Sequence, residues 1–120
     1  RVAGFKQGVK LAKELIRNED VFLHFEETDD ISHKRDPRGK VELIESIDQE
    51  LGRFAKSFSH CRIALLVDHG ASSLTGEHIS MNVPFAISDS VLPYEATHHY
   101  QETDCNNMEL SDLLERIYRF

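Results

Sequence analysis

Two short apolar segments, each followed by a polar stretch that carries Asp and His, constrain the fold of this chain most. Residues 21–25 read Val-Phe-Leu-His-Phe, and residues 62–67 contain the run Ile-Ala-Leu-Leu-Val. Apolar runs of this length are typical of strands that are buried on both faces. A third apolar segment at 83–87 tolerates Pro84 at its start and predicts another strand. The chain is therefore expected to form a buried sheet.

Helical patterns alternate with these strands. Apolar residues recur on one stripe of each predicted helix, at residues 2–18, 41–58 and 110–117. Polar residues predict loops at 26–39 and 68–82 and an irregular tail at about 89–108. This alternation predicts a single α/β domain over 1–120, with three layers and a largely parallel sheet flanked by helices.

Composition excludes some classes of partner. Fourteen basic and twenty-one acidic residues give a formal net charge of −7, which argues against binding to nucleic acid. No apolar run approaches the roughly 20 residues that span a membrane. Cys61 and Cys105 are not closely spaced, which indicates a reducing compartment and a cytoplasmic location. The chain starts at Arg1 rather than Met, so we expect a fragment or a processed product.

The two polar stretches contain candidate metal ligands. The first carries Asp29 and His33, and the second carries Asp68, His69 and His78. Carboxylate and imidazole bind zinc, manganese and related divalent ions. Ligands of parallel α/β sheets bind beyond the carboxyl ends of the strands, so both stretches are expected at one sheet edge. Turn-forming or capping roles for the same residues remain open at this point.

Four ordered motifs resemble the archaeal type of cofactor-independent phosphoglycerate mutase, in the alkaline-phosphatase-like metalloenzyme superfamily. Residues 21–33 resemble its strand and Asp-x-x-x-His pair, and residues 39–48 its Gly-Lys-Val helix. Leu-Val-Asp-His-Gly at 66–70 and Glu-His-Ile-Ser-Met-Asn-Val-Pro-Phe at 77–85 resemble its two later motifs. The resemblance covers about residues 20–88 and implies the C-terminal half of an alkaline-phosphatase-like core.

The resemblance implies two divalent ions, of manganese, zinc or magnesium, in the parent enzyme. Asp29, His33 and His78 match the protein ligands of one ion, and Asp68 and His69 match ligands of the other. The implied reaction interconverts 2-phosphoglycerate and 3-phosphoglycerate through a phosphoserine. In the family, the nucleophilic serine and a further aspartate lie upstream of the matched region. We therefore expect the isolated chain to lack a catalytic nucleophile, to be inactive and to bind at most one ion.

One departure from the family pattern concerns the substrate. Lys34-Arg35-Asp36 stands where the family usually has Asp-Gly-Asp. Arg35 is a candidate contact for a phosphorylated small-molecule substrate, and a solvated loop residue is the alternative. The second domain, which contributes to substrate binding in the mutases, has no counterpart here.

Two other functions remain open. One is a different phosphomutase or hydrolase of the same superfamily. The other is a non-catalytic α/β module for binding or assembly, for which a homo-oligomer is expected because uncovered sheet edges and apolar faces favour association.

Overall fold

The computed structural model describes residues 4–88 and 109–118. In chain order the elements are α1 (Phe5–Leu15), α2 (Glu27–His33), α3 (Pro37–Ser57), β1 (Ile63–Leu66), β2 (Gly70–Ala71), β3 (His78–Ile79), β4 (Phe85–Ser88) and α4 (Leu110–Tyr118). The predicted irregular tail at about 89–108 lies outside the described residues. None of the helices in the described ranges has the length and apolar character needed to cross a membrane.

The chain divides into two compact units. The first comprises Arg1–Ser57 and Ala71–Ile79, and the second comprises Phe58–Gly70 and Ser80–Phe120. The single domain over 1–120 stays a prediction. Each unit is described by itself below.

The core of the first unit lies between α1 and α3. Phe5, Val9 and Ile47 are its buried residues, and Phe5 contacts the ring of Phe25 edge-on at a centroid distance of 4.8 Å. The partly buried apolar residues around them are Leu23, Phe25, Leu43, Leu51 and Phe54. Burial of each large apolar side chain contributes about 1.5–3 kcal/mol, so this cluster holds α1 against α3. The helical periodicity of both segments is confirmed.

Residues 21–25 do not form the predicted strand. They lie outside any helix or strand, and burial alternates along them, with Phe22 85% exposed. His24, which lies in the same segment, is also exposed. A strand needs a hydrogen-bonded neighbour, and within the described residues no backbone hydrogen bond reaches this segment. The prediction of burial on both faces was therefore wrong, because apolar composition alone does not supply that neighbour.

The predicted loop at 26–39 contains a helix, α2. Its first turn carries Glu27, Asp29 and Asp30, whose negative charges stabilise the positive end of a helix. On the buried side, the Ser32 hydroxyl is fully buried and donates to the Thr28 carbonyl oxygen at 2.8 Å. The loop prediction failed because these polar residues carry no apolar stripe, although they suit a short helix.

Asp36 joins α2 to α3. The Arg35 amide donates to Ser32 O and the Asp36 amide to Ile31 O, the paired bonds of a Schellman ending. The Asp36 carboxylate then accepts from the Gly39 amide at 2.9 Å and caps α3. Pro37 follows at the first helical position, where a missing amide proton costs nothing. As a result, α3 begins four residues before the predicted start at residue 41.

The sheet of the second unit is antiparallel. β1 pairs with β4 in the register Ile63↔Ser88 to Leu66↔Phe85, and Arg62 donates to the Ile117 carbonyl oxygen of α4 at 2.7 Å. Both strands were predicted, but the largely parallel sheet of a three-layer core is not what the described strands form. Parallel neighbours need a crossover, usually a helix, and the connection from β1 to β4 contains none.

Candidate metal centre

Three of the predicted ligands converge in the first unit. Asp29 and His33 lie one turn apart on α2, and Nε2 of His33 is 3.1 Å from Oδ2 of Asp29. His78 comes from β3, 49 residues after Asp29, and its Nε2 is 3.2 Å from Oδ1 of the same carboxylate. One ligand atom from each residue lies within 4.8 Å of the other two. Asp29 is thus the common partner of both imidazoles.

A short hairpin carries His78 to this position. β2 and β3 pair, the Ser72 amide donates to Glu77 O at 2.9 Å, and the Gly76 amide donates to Ser72 O at 2.8 Å. Lys40 of α3 donates from Nζ to the Ala71 carbonyl oxygen at 2.7 Å. This hydrogen bond connects the hairpin to α3 at Ala71.

A second hydrogen bond to the hairpin, at Gly76, sets the orientation of the His33 ring. Nδ1 of His33 lies 2.8 Å from the Gly76 carbonyl oxygen, which can only accept, so Nδ1 carries the hydrogen. In a neutral ring Nε2 then presents a lone pair to Oδ2 of Asp29. Two lone pairs at 3.1 Å repel unless a proton or a metal ion lies between them. The backbone bond therefore leaves Nε2 as the nitrogen available to a metal ion.

The three donors fit a divalent ion. Ligand atoms about 2.1 Å from a tetrahedral zinc are about 3.4 Å from each other. Here the two imidazole nitrogens lie 3.1 and 3.2 Å from the two different oxygens of Asp29, and one ligand atom from each residue lies within 4.8 Å of the other two. The side chains of His33 and His78 are 48% and 53% exposed, so solvent reaches the centre. Three protein ligands on an accessible site leave a coordination position for water or a substrate. Two imidazoles and a carboxylate suit zinc or manganese, and they do not select between them.

Asp68 and His69 lie in the second unit, directly after β1. The His69 amide donates to Oδ1 of Asp68 at 2.9 Å, and Nε2 of His69 is 3.6 Å from Oδ2 of the same carboxylate. The strand has ended at Leu66, so these neighbours are not forced onto opposite faces. Their carboxylate and imidazole instead lie on the same side, in contact with each other.

Arg35 lies in the first unit next to the hairpin. It has φ of 56° in the left-handed region, is exposed, and forms the ending of α2. A Cβ placed on Gly76 would lie 3.3 Å from both Cγ and Nε of Arg35. The arginine side chain therefore crosses the turn whose carbonyl group orients His33.

Two supporting residues were not foreseen from the sequence. Gly76 has φ of 75° and Lys40 bonds a backbone carbonyl, and neither is a metal ligand by type. Gly76 itself was a usable signal, because glycine in a polar stretch commonly supplies the positive φ of a turn. The Lys40 contact had no signal, since the acceptor is a main-chain atom.

Comparison with known proteins defines the class of protein in which Asp29, His33 and His78 come together. Residues 4–118 match the model of the metalloenzyme superfamily, and the chain belongs to that family. The class is α/β and alkaline-phosphatase-like, in agreement with the resemblance found in the motifs.

Curated archaeal relatives place the chain more narrowly. It is 32% identical over 102 residues to a 2,3-bisphosphoglycerate-independent phosphoglycerate mutase of Pyrobaculum neutrophilum, covering 84% of this chain and 25% of the relative. The Methanopyrus kandleri enzyme of the same name is 32% identical over 101 residues, covering 81% and 24%. A second mutase of Methanocaldococcus jannaschii is 27% identical over 111 residues, covering 92% and 26%. The chain thus spans about a quarter of the length of these relatives. No solved structure matches it significantly.

Proposed function

We propose that this chain is the metal-ligand-bearing part of a phosphoryl-transfer enzyme that interconverts 2-phosphoglycerate and 3-phosphoglycerate. The observation that carries the proposal is the convergence of Asp29, His33 and His78 from sites 49 residues apart. The mutase relatives support the reaction type, because they match this chain over most of its length. A cytoplasmic location belongs to the same proposal, on the evidence of cysteine usage.

The residues divide between two ions in this proposal. Asp29, His33 and His78 hold one divalent ion, and Asp68 and His69 contribute to a second. When bound, such ions activate a serine hydroxyl and neutralise charge on the transferred phosphoryl group. The chain's own contribution is to hold the imidazole of His33 in the metal-binding tautomer through the Gly76 carbonyl group. Charge supplied by the ions explains how a chain of net charge −7 handles a phosphate ester.

The serine nucleophile and the remaining aspartate of the second ion are expected outside the matched motifs. The 120-residue chain is therefore proposed to bind at most one ion and to show no turnover of 3-phosphoglycerate with manganese. Turnover that persists through repurification and comigrates with the chain would contradict this part of the proposal.

Metal stoichiometry tests the ligand set directly. The purified chain is loaded with zinc or manganese, freed of excess metal and analysed for bound metal per chain. We expect one ion for the natural sequence and none for His33→Ala. His24→Ala is the matched control, since His24 is similarly exposed, lies outside the triad, and has as its partners Glu26, at 3.9 Å, and the stacked ring of Phe22. Unchanged stoichiometry in His33→Ala would refute the ligand assignment.

Another phosphomutase or a hydrolase of the superfamily is the competing enzyme. The Lys34-Arg35-Asp36 departure bears on it, because it lies beside the metal centre and alters the charge there. Assays of a polypeptide that contains the complete core, with 3-phosphoglycerate and an aryl phosphate in parallel, separate a mutase from a phosphatase. A non-catalytic module that self-associates predicts an oligomer by sedimentation and no turnover of either compound.

A further inference from the structure

We infer that Arg35, beside the metal centre, binds the phosphate group of a phosphate monoester through its guanidinium group. This inference rests on the proposed function and adds to it the residue that contacts the substrate's phosphate oxygens. It is argued below from backbone conformation, from the partners of neighbouring charges and from the contact with Gly76.

The left-handed backbone conformation of Arg35 makes a side chain at this position costly to stability. The position after a helix that adopts left-handed φ is usually glycine, since a Cβ there crowds the backbone. Arg35 holds φ of 56° at that position and closes α2 with its amide bonded to Ser32 O. A strained residue next to a candidate centre points to a role for its side chain.

The guanidinium group of Arg35 has no acid partner within the described residues. Two of the neighbouring cations are engaged: Arg38 pairs with Glu42 at 3.4 Å, and Lys40 donates to Ala71 O. The adjacent Asp36 carboxylate is taken by the Gly39 amide. Arg35 therefore has five N–H donors in a planar fork that matches the oxygens of a phosphate.

Gly76 places this fork beside the triad. The absence of a side chain at Gly76 leaves room for Cγ and Nε of Arg35, and the carbonyl of the same residue bonds His33. One glycine thus contacts both the cation and a proposed metal ligand. A divalent ion held by one carboxylate and two neutral imidazoles has one net positive charge, which attracts an anion to the open position. An anion at the open position would contact both the metal ion and the guanidinium group of Arg35.

The test uses phenyl phosphate as the probe and the 120-residue chain loaded with zinc. Bound zinc is first counted, and the dissociation constant of phenyl phosphate is then measured by calorimetry. We expect Arg35→Gly to keep its zinc and to bind the probe about tenfold more weakly or worse. Arg35→Lys keeps the charge without the planar guanidinium group, and its affinity for phenyl phosphate is expected to lie between those of the natural sequence and Arg35→Gly. Arg38→Ala removes the same charge from an adjacent exposed site and is expected to bind as the natural sequence does.

Thermal unfolding excludes a trivial cause, because Arg35→Gly relieves the left-handed strain and is expected to melt at a higher temperature than the natural sequence. Equal probe affinity in Arg35→Gly and the natural sequence, with zinc bound in both, would overturn the inference and leave the proposed function standing. Equal weakening in Arg38→Ala would also overturn it, because the effect would then be one of general charge. A natural chain that binds no zinc would refute the assignment of Asp29, His33 and His78 as metal ligands, and this inference with it.

Discussion

The carbonyl oxygen of Gly76 lies 2.8 Å from Nδ1 of His33 and so decides which nitrogen of that ring is available to a metal ion. Gly76 reaches this position with φ of 75°, where a side chain would be strained. The orientation of one proposed ligand thus depends on the backbone of a turn 43 residues away.

Gly76→Ala is expected to weaken both the fold and the centre. Its Cβ would lie 3.3 Å from the Arg35 side chain and from His33 O, on a backbone that alanine rarely adopts. We expect a loss of about 1–2 kcal/mol in the free energy of unfolding and weaker zinc binding. Chemical denaturation and a zinc titration measure the two effects.

Gly52→Ala is the matched control for that substitution. Gly52 lies inside α3, and a Cβ there would meet nothing within 4 Å. Alanine at an exposed helical position is expected to stabilise the chain by about 0.5–1 kcal/mol. If both glycine substitutions changed stability in the same direction, the special conformation assigned to Gly76 would be wrong.

Asp29→Asn is expected to lower zinc affinity by at least about 100-fold, because it removes the charge that both imidazoles share. Asp30→Asn provides the comparison, since Asp30 is exposed and lies in the same first turn of α2. Both changes remove one negative charge from the helix start, so their effects on helix stability are similar. Competition with a chromogenic chelator gives the affinities. A similar loss in both variants would show that general charge, and not ligation, holds the ion.

Gly39→Ala is expected to destabilise the chain by about 1–2 kcal/mol, because the new Cβ overlaps the Asp36 carboxylate and lies 2.9 Å from Cδ1 of Ile31. Asp36→Ala removes the same cap directly and is expected to cost about 1 kcal/mol. The double variant should cost less than the sum of the two, since both act on one cap. Additive losses, measured by urea unfolding, would contradict a shared mechanism.

Phe22→Ala and Phe25→Ala test the one-sided burial of residues 21–25. Phe25 packs on Phe5, and its loss is expected to cost about 3 kcal/mol, whereas Phe22 is 85% exposed and its loss is expected to cost under about 0.5 kcal/mol. Urea unfolding at two protein concentrations measures both. A large, concentration-dependent cost for Phe22→Ala would indicate that an associated copy covers this face, as the predicted homo-oligomer requires.

The pairing of Asp29 with His33 could be predicted from the sequence, because residues one helical turn apart lie on the same face of a helix. Asp29 and His33 are four residues apart, which places them on one face once α2 forms. The family motifs then pointed to His78, which spacing alone does not connect to α2. Its approach depends on main-chain acceptors at Ala71 and Gly76, and a pattern of side-chain types does not reveal those.

The sheet was less predictable for a related reason. Strand segments near β1 and β4 follow from apolar runs, and both are present. Whether neighbours run parallel depends on the connection between them, and the polar stretch after β1 was compatible with either direction. Residues 21–25 have the composition of a buried strand, but strand formation depends on a partner elsewhere in a polypeptide chain.

Asp36 closes the last turn of α2 and caps α3, so only Lys34, Arg35 and Asp36 lie between the two helices. Each residue of an α-helix turns the chain by about 100°. One residue inserted between α2 and α3 would rotate the imidazole and carboxylate of α2 away from the hairpin that is hydrogen-bonded to α3. Length variation is therefore tolerated poorly at this point of the chain, whatever side chains are chosen.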